Sequence, residues 1–175
     1  MPNIDAAHGL FPIGRTIEGG ELTIQLMQKD ASEATAIFQW DAVNREADGN
    51  IDAGSATPGT TLYSGVSLNY GPGSTLTQHY VVVNAGALFD IQDNNDTDGL
   101  AEADMGLNAN IELGAGSAVT GISGHELDES TANTTNSLDL HILQKIDSPD
   151  NAYGSFCRVL VMFNKHRMNP AVAGV

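Results

Sequence analysis

The sequence predicts an all-β protein, an antiparallel β-sandwich or barrel of the jelly-roll or tulip-like kind. Short runs rich in β-branched and aromatic residues recur about every ten residues between turn-forming segments. The 19 glycines supply positive-φ positions for turns and would weaken helices. No segment of ten or more residues keeps apolar residues at helical spacing, apart from a weak pattern over residues 100–107. We therefore expect little helix, an extended N-terminal arm and long loops rich in glycine and asparagine.

The strands can be placed in order along the chain. Residues 21–26 alternate apolar and polar side chains with the period of two that a strand with one buried face requires. Residues 34–40 repeat the alternation less regularly. The stretch 41–73 contains Thr-Pro-Gly-Thr and Gly-Pro-Gly-Ser turn signals, which predict loops with short β segments. Further strands are predicted at 61–68, 78–83, 88–92 and 111–113, with central strands at 138–142 and 157–163.

The length of 175 residues is enough for one good hydrophobic core. We predict an extended N-terminal arm over residues 1–20, a single β domain over 21–167 and a flexible C-terminal tail over 168–175. The N-terminus lacks a basic start followed by an apolar stretch, and no apolar run is long enough for a membrane span. These features favour a soluble protein that is made in a cytoplasm and has no membrane partner.

The charge of the chain is strongly acidic and unevenly distributed. The 22 acidic residues exceed the seven basic ones, for a formal charge of -15, which disfavours binding to a nucleic-acid backbone. No lysine or arginine occurs between residues 46 and 144. Such a surface is typical of a protein that stays soluble at high concentration, and it also suits a molecule that docks through its other end.

Two motifs resemble catalytic signatures and fail on inspection. Residues 121–125 read Gly-Ile-Ser-Gly-His, which is a nucleophile elbow except that His125 replaces the last glycine. The following His-Glu-Leu-Asp-Glu lacks the second histidine of a zinc-protease helix. Cys157 lies in an apolar run and is predicted to be a buried hydrophobe. We therefore predict no catalytic residues; the five histidines are expected to be solvated or hydrogen-bonded singly.

One loop has the composition of a cation site. Residues 93–99 read Asp-Asn-Asn-Asp-Thr-Asp-Gly, and closely spaced oxygen ligands before a glycine suit calcium. In calcium-loop register the twelfth position is Met105 instead of a glutamate, although Glu102 or Asp104 could substitute. The alternative is a polar loop whose side chains cap their own turns. We predict no metal or other cofactor, and the candidate ligands, should calcium bind, are Asp93, Asp96 and Asp98.

Six short blocks occur in an order that resembles the capsid decoration (head cement) proteins of tailed bacteriophages. In the first, Leu10 stands where the family tends to carry an aromatic residue, and Phe11 follows it. The blocks span residues 9–13, 80–92, 103–109, 121–128, 148–151 and 161–166. The resemblance implies a non-enzymatic structural virion protein, made in the host cytoplasm. Such a protein binds the outer surface of the expanded capsid and cements neighbouring major capsid subunits. It also implies self-association, with a trimer favoured and a dimer next.

Capsid contacts are expected at the two chain ends. The apolar, proline-stiffened segment Gly9, Leu10, Phe11 and Pro12 could lie along a capsid or add a strand to a sheet edge, or it could fold onto its own core. Arg15, Lys165 and Arg167 are candidate ionic contacts to an acidic capsid, or ordinary solvated charges.

Three other functions remain open. A calcium-dependent carbohydrate- or surface-binding β-sandwich module would need an ion at residues 93–98 and aromatic residues nearby. A tail or fibre component of the same virion would differ from a decoration protein in copy number. An enzyme would need several histidines and carboxylates to converge in one pocket.

Overall fold

The computed structural model describes residues 3–54 and 62–168, which form eleven strands in two antiparallel sheets. The sheets pack together and do not close into a barrel, so the predicted all-β sandwich is confirmed. No helix in this part of the chain is long and apolar enough to cross a membrane. In chain order the strands are β1 (Phe11–Thr16), β2 (Ile24–Lys29), β3 (Ala42–Arg45), β4 (Ile51–Ala53), β5 (Gly65–Ser67), β6 (Thr77–Val82), β7 (Ala87–Gln92), β8 (Asn108–Glu112), β9 (Glu126–Asn133), β10 (Leu140–Lys145) and β11 (Arg158–Phe163).

Each sheet is built from a nearly continuous part of the chain. Sheet B has the strand order β2-β6-β5-β3-β4 and uses the five consecutive strands β2 to β6. Sheet A has the order β1-β7-β11-β10-β8-β9. After the five strands of sheet B, the chain returns to sheet A as β7, which pairs with β1 at one edge. The N-terminal strand is therefore held by a strand more than 70 residues later in the sequence.

The main core lies between the two sheets. All six residues of β7 are buried, as expected for a strand that has neighbours on both sides and is covered on both faces. Phe89 and Phe163 meet there edge to face, with ring centroids 5.5 Å apart. A second, smaller cluster lies on the other face of sheet B. It contains Ile37, Val43, Ile51, Val81 and Val83.

The apolar runs predicted as central strands are confirmed in position, as β10 and β11 lie inside sheet A. The predicted strand at 21–26 is found shifted, as β2, and its expected buried face is wrong. Ile24 and Leu26 are 51% and 53% exposed because β2 is an edge strand of sheet B. Alternation with period two therefore predicted a strand correctly, but it did not show whether the apolar face of that strand is buried.

Two weaker patterns gave less regular structure than expected, and a third gave the structure predicted. Within residues 34–40 only isolated bridges form, at Ile37 and Gln39. The stretch 41–73 contains the short strands β3, β4 and β5 within loops, as predicted. The possible helix at 100–107 is reduced to one 3-10 turn, Glu102–Asp104.

Residues 3–16 are folded onto the sandwich. They do not form the extended arm that was predicted for residues 1–20. Asn3 donates from Nδ2 to the carbonyls of Ala152 and Ser155 at 2.8 Å, and β1 pairs with β7. Leu10 is completely buried in the main core. Of the predicted flexible tail, Met168 is 74% exposed and residues 169–175 lie outside the described residues.

Candidate functional site

A cleft of about 400 Å³ lies between the N-terminal segment and sheet A. The N-terminal segment forms one wall, and residues of β7 and β11 contribute charged groups. The loop before β3 and the loop before β11 complete it. The lining residues are Asn3, Ile4, Ala6, His8, Phe11, Trp40, Asp90, Gln92, Asp150, Asn151, Phe156 and Arg158.

The charged centre of the cleft is an ion pair between Asp90 on β7 and Arg158 on β11. Arg158 donates from Nε to Asp90 Oδ1 at 3.2 Å and from Nη2 to Oδ2. His8 Nε2 lies 3.5 Å from Asp90 Oδ1. Burial alone would raise the pKa of Asp90, but contacts with His8 and Arg158 hold it below its ordinary value. The carboxylate therefore stays ionised and fixed in place.

The aromatic side of the cleft is built from Phe11 and Trp40, whose ring centroids are 4.8 Å apart in an edge-to-face arrangement. Trp40 has φ 74°, a conformation that bulky residues rarely adopt. Its N–H donates to the Ser67 carbonyl at 2.7 Å, and its carbonyl accepts the Leu10 N–H at 3.0 Å. These backbone bonds hold the strained residue in position.

The fold requires glycine at position 9, the first residue of the segment 9–13. Gly9 has φ 74°, and a Cβ on it would lie 2.5 Å from Ser123 Cβ and 2.6 Å from the Trp40 carbonyl oxygen. Only glycine permits this close approach. Gly9 therefore positions the chain beside the cleft from a buried location.

The elbow-like sequence at residues 121–125 lies in the interior. Ser123, His125 and Asp41 are 2%, 5% and 2% exposed, so no substrate reaches them in this fold. His125 Nε2 lies 3.4 Å from Asp41 Oδ1, whereas Ser123 Oγ accepts the backbone N–H of His125. Burial raises the pKa of Asp41 and lowers that of His125. The three residues form a buried polar cluster, since the serine does not donate to the imidazole as a nucleophile would.

Three other histidines have hydrogen-bond partners of their own. His79 lies between Ser67 Oγ at 2.9 Å and Thr77 Oγ1 at 3.0 Å, and burial lowers its pKa. His141 contacts Asn108, and His166 contacts the Ser64 carbonyl. Cys157 is also buried, and burial raises the pKa of its thiol to about 11.

The candidate calcium ligands are not brought together. Asp93 is completely buried and accepts the backbone N–H groups of Cys157 and Asn95, both at 2.7 Å. Asp96 and Asp98 are exposed instead. The loop therefore has the self-capped form that was the alternative to a metal site.

Acidic groups converge elsewhere in the described residues, near the β3–β4 hairpin. The two overlapping groups are Asp30, Glu46 and Asp48, and Glu33, Glu46 and Asp52. Burial and the neighbouring Glu33 raise the pKa of Asp52 to about 6. The sequence did not indicate this cluster because Asp30 and Glu33 lie in the loop after β2, and only the fold brings that loop against the hairpin, as in the hydrogen bond from Asn50 to Asp30.

The predicted contact residues are divided between surface and interior. Leu10 is completely buried, and Lys165 is 9% exposed. Phe11 is 40% exposed, Pro12 is half-buried, and Arg15 and Arg167 are exposed. The Arg167 guanidinium donates to the Arg45 carbonyl.

An exposed apolar surface that sequence analysis missed lies on β2 and β6. Leu26 pairs with Tyr80 and Ile24 with Val82, so these side chains share one face of sheet B. Ile24, Leu26 and Tyr80 are more than half exposed, whereas Val82 is completely buried in the main core. We call Ile24, Leu26 and Tyr80 the β2–β6 patch.

Comparison with known proteins adds no assignment: no protein-family model, no curated protein and no solved structure matches the chain.

Proposed function

We propose that this chain is a non-enzymatic structural virion protein that binds the outer surface of an expanded phage capsid. In this role it cements neighbouring major capsid subunits. Two lines of support come from the sequence: the six blocks in their order, and the acidic composition, which disfavours a role inside the shell against packaged nucleic acid. The buried location of the Ser123, His125 and Asp41 cluster removes the chain's best candidate for a nucleophile.

The observation that carries the proposal is the β2–β6 patch. It continues the face of sheet B that contains Val82, but it extends past the part that sheet A covers. An apolar face that runs from a core into solvent is typical of a protein-interaction surface. Its occupant under this proposal is the major capsid protein.

A lattice multiplies the effect of a modest contact. One interface of ordinary size buries about 800 Å² per partner, and its strength depends on a few well-packed side chains such as Tyr80. When each protein touches two or more capsid subunits, the second contact forms at high effective concentration. Many copies then resist separation of subunits together. A trimer at three-fold positions, or a dimer at two-fold positions, would provide such multivalency.

The proposal is tested by binding purified protein to expanded and unexpanded capsids that lack it. We expect binding to expanded capsids only, weakened about ten-fold by Leu26→Asp or Tyr80→Asp because a buried unpaired charge opposes docking. Val119→Asp is the matched control, since Val119 is 96% exposed and lies outside the patch. Equal binding by the patch variants and the control would contradict a role for the patch.

Copy number separates this proposal from a tail or fibre component. A decoration protein should approach a one-to-one ratio with the major capsid protein in purified virions, measured by quantitative mass spectrometry. A few copies per particle would exclude the cementing role and favour the tail or fibre.

The carbohydrate-binding alternative is favoured by one observation, the cleft with Trp40 in its wall. Its calcium-dependent form is not supported, because both carboxylate oxygens of Asp93 accept hydrogen bonds from backbone N–H groups.

A further inference from the structure

We propose that the cleft formed by His8, Phe11, Trp40, Asp90, Phe156 and Arg158 binds a neutral sugar ring, such as the terminal residue of a surface glycan. This activity is independent of capsid binding, because the β2–β6 patch and the cleft share no residues.

The size and walls of the cleft suit a small ring. A volume of about 400 Å³ falls at the lower end of ligand pockets. Phe11, Trp40 and Phe156 give it apolar surface on which the C–H face of a sugar can pack. Charged groups at its centre supply directional hydrogen bonds, the combination that fixes a ligand's orientation.

Two of the aromatic residues are held in strained backbone conformations. Four non-glycine residues in the described ranges have positive φ, and two of them, Trp40 at 74° and Phe156 at 57°, line this cleft. Such conformations cost free energy and cluster at ligand-binding positions. The strain therefore marks the cleft as a site where side-chain placement matters.

The guanidinium of Arg158 retains unused hydrogen-bonding capacity. Arg158 uses Nε and Nη2 on Asp90, which leaves Nη1, and its side chain is 39% exposed. His8 Nδ1 contacts the Ala6 carbonyl at 3.1 Å and its buried Nε2 lies 3.5 Å from Asp90 Oδ1, so His8 lines the cleft beside the ion pair. A ligand hydroxyl can accept from the guanidinium and also donate to a neighbouring acceptor.

The charge balance disfavours an anionic ligand. Arg158 is already neutralised by Asp90, and Asp150 adds a second carboxylate to the lining. An anion would meet these carboxylates on a protein of net charge -15. The carboxylates do not repel a cation, so the choice of a neutral polyhydroxyl ring rests on the apolar walls together with the donor Arg158 and the carboxylate acceptors, which such a ring uses alike.

The chain provides its own probe of occupancy, because Trp40 is its single tryptophan. Tryptophan fluorescence should be followed while methyl glycosides of glucose, galactose, mannose and N-acetylglucosamine are titrated. We expect a saturable change with at least one glycoside, with a Kd in the millimolar range typical of few-atom contacts. Glycerol, choline chloride and sodium acetate serve as polyol, cation and anion comparisons.

Variants then locate the binding. We expect His8→Ala and Phe11→Ala each to weaken glycoside binding several-fold. Arg158→Lys should weaken it by about ten-fold, because an ammonium cannot bond Asp90 through two donors and still present a third at the position of Nη1. Tyr80→Ala, in the β2–β6 patch, should leave binding unchanged. Circular dichroism confirms that each variant is folded, and His8→Ala and Phe11→Ala leave the Asp90–Arg158 pair in place.

Three results would overturn the proposal: no glycoside gives a saturable change, choline or acetate alone does so, or the cleft variants bind as well as the wild type. The capsid-binding assay is unaffected by any of these results, so failure of one proposal is distinguishable from failure of the other.

Discussion

Glu126 lies at the start of β9 directly opposite Glu112 on β8, so two like charges face each other across a strand pair. Burial, together with the charges of Asp5 and Glu112, raises the pKa of Glu126 to about 7 from an ordinary value of 4.5. The folded state thus binds this proton more tightly than the unfolded state does. Stability is consequently lost as the pH rises from about 4.5 through about 7.

Glu126→Gln should therefore stabilise the protein at alkaline pH. Because Glu126 is only half-buried and solvent screens its charge, we expect the free energy of unfolding to rise by about 1 kcal/mol at about pH 8. The gain should disappear below about pH 4.5, where both states are protonated. Urea unfolding at several pH values measures it. Glu102→Gln, at an exposed position, is the control; a gain that does not depend on pH would refute the electrostatic explanation.

Gln92, at the end of β7, ties the N-terminal segment to sheet A. Gln92 is 1% exposed, and its side-chain amide donates to the carbonyls of Ile4 at 2.6 Å and Phe156 at 3.2 Å and accepts the N–H of Ala6 at 2.8 Å. One amide thus satisfies three backbone groups from two different segments. The wall of the cleft depends on this side chain.

Gln92→Leu keeps the volume but leaves the Ile4, Ala6 and Phe156 backbone groups without that partner. We expect a loss of about 1–3 kcal/mol in the free energy of unfolding, the usual cost of unsatisfied buried groups. Hydrogen exchange at the Ala6 amide should accelerate, while amides of β10 keep their protection. Gln78→Leu, at an exposed position of β6, is the control. Unchanged exchange at Ala6 would show that other contacts hold the segment.

Elements whose burial follows from their own composition were predictable from the sequence. β7 and β11 are apolar runs, and both were placed within a residue or two. β9 was missed because its acidic sequence, starting at Glu126, gives no apolar alternation. The sequence also did not predict that β2 is exposed, because that exposure depends on how far sheet A extends across sheet B.

The cleft was beyond sequence reasoning for a related reason. His8, Trp40, Asp90 and Arg158 are spread over 150 residues, and no local pattern joins them. What the sequence offered was indirect: a single tryptophan in a chain with few aromatic residues, and a glycine at position 9. The register of β7 against β11 brings Asp90 within reach of Arg158.

Over the whole molecule, the net charge of -15 opposes compaction. Arg158 pairs with Asp90, but 22 acidic residues share seven basic ones, so most carboxylates cannot have a cation of their own. Acidic side chains instead face one another, at Glu112 and Glu126 and near the β3–β4 hairpin. Self-repulsion of this kind is weakened by salt because the Debye length shortens from about 30 Å at 0.01 M to about 8 Å at 0.15 M.

We therefore expect Tm to rise by about 3 °C when NaCl is raised from about 0.01 M to about 0.15 M, which corresponds to about 1 kcal/mol for a chain of this size. Differential scanning calorimetry measures the shift. It should shrink near pH 4.3, where the calculated net charge of the chain is zero. CaCl₂ at the same ionic strength should act as NaCl does if the effect is screening. A larger rise of Tm with calcium would contradict screening and indicate a bound ion. The carboxylates near the β3–β4 hairpin would then be the first residues to replace with amides.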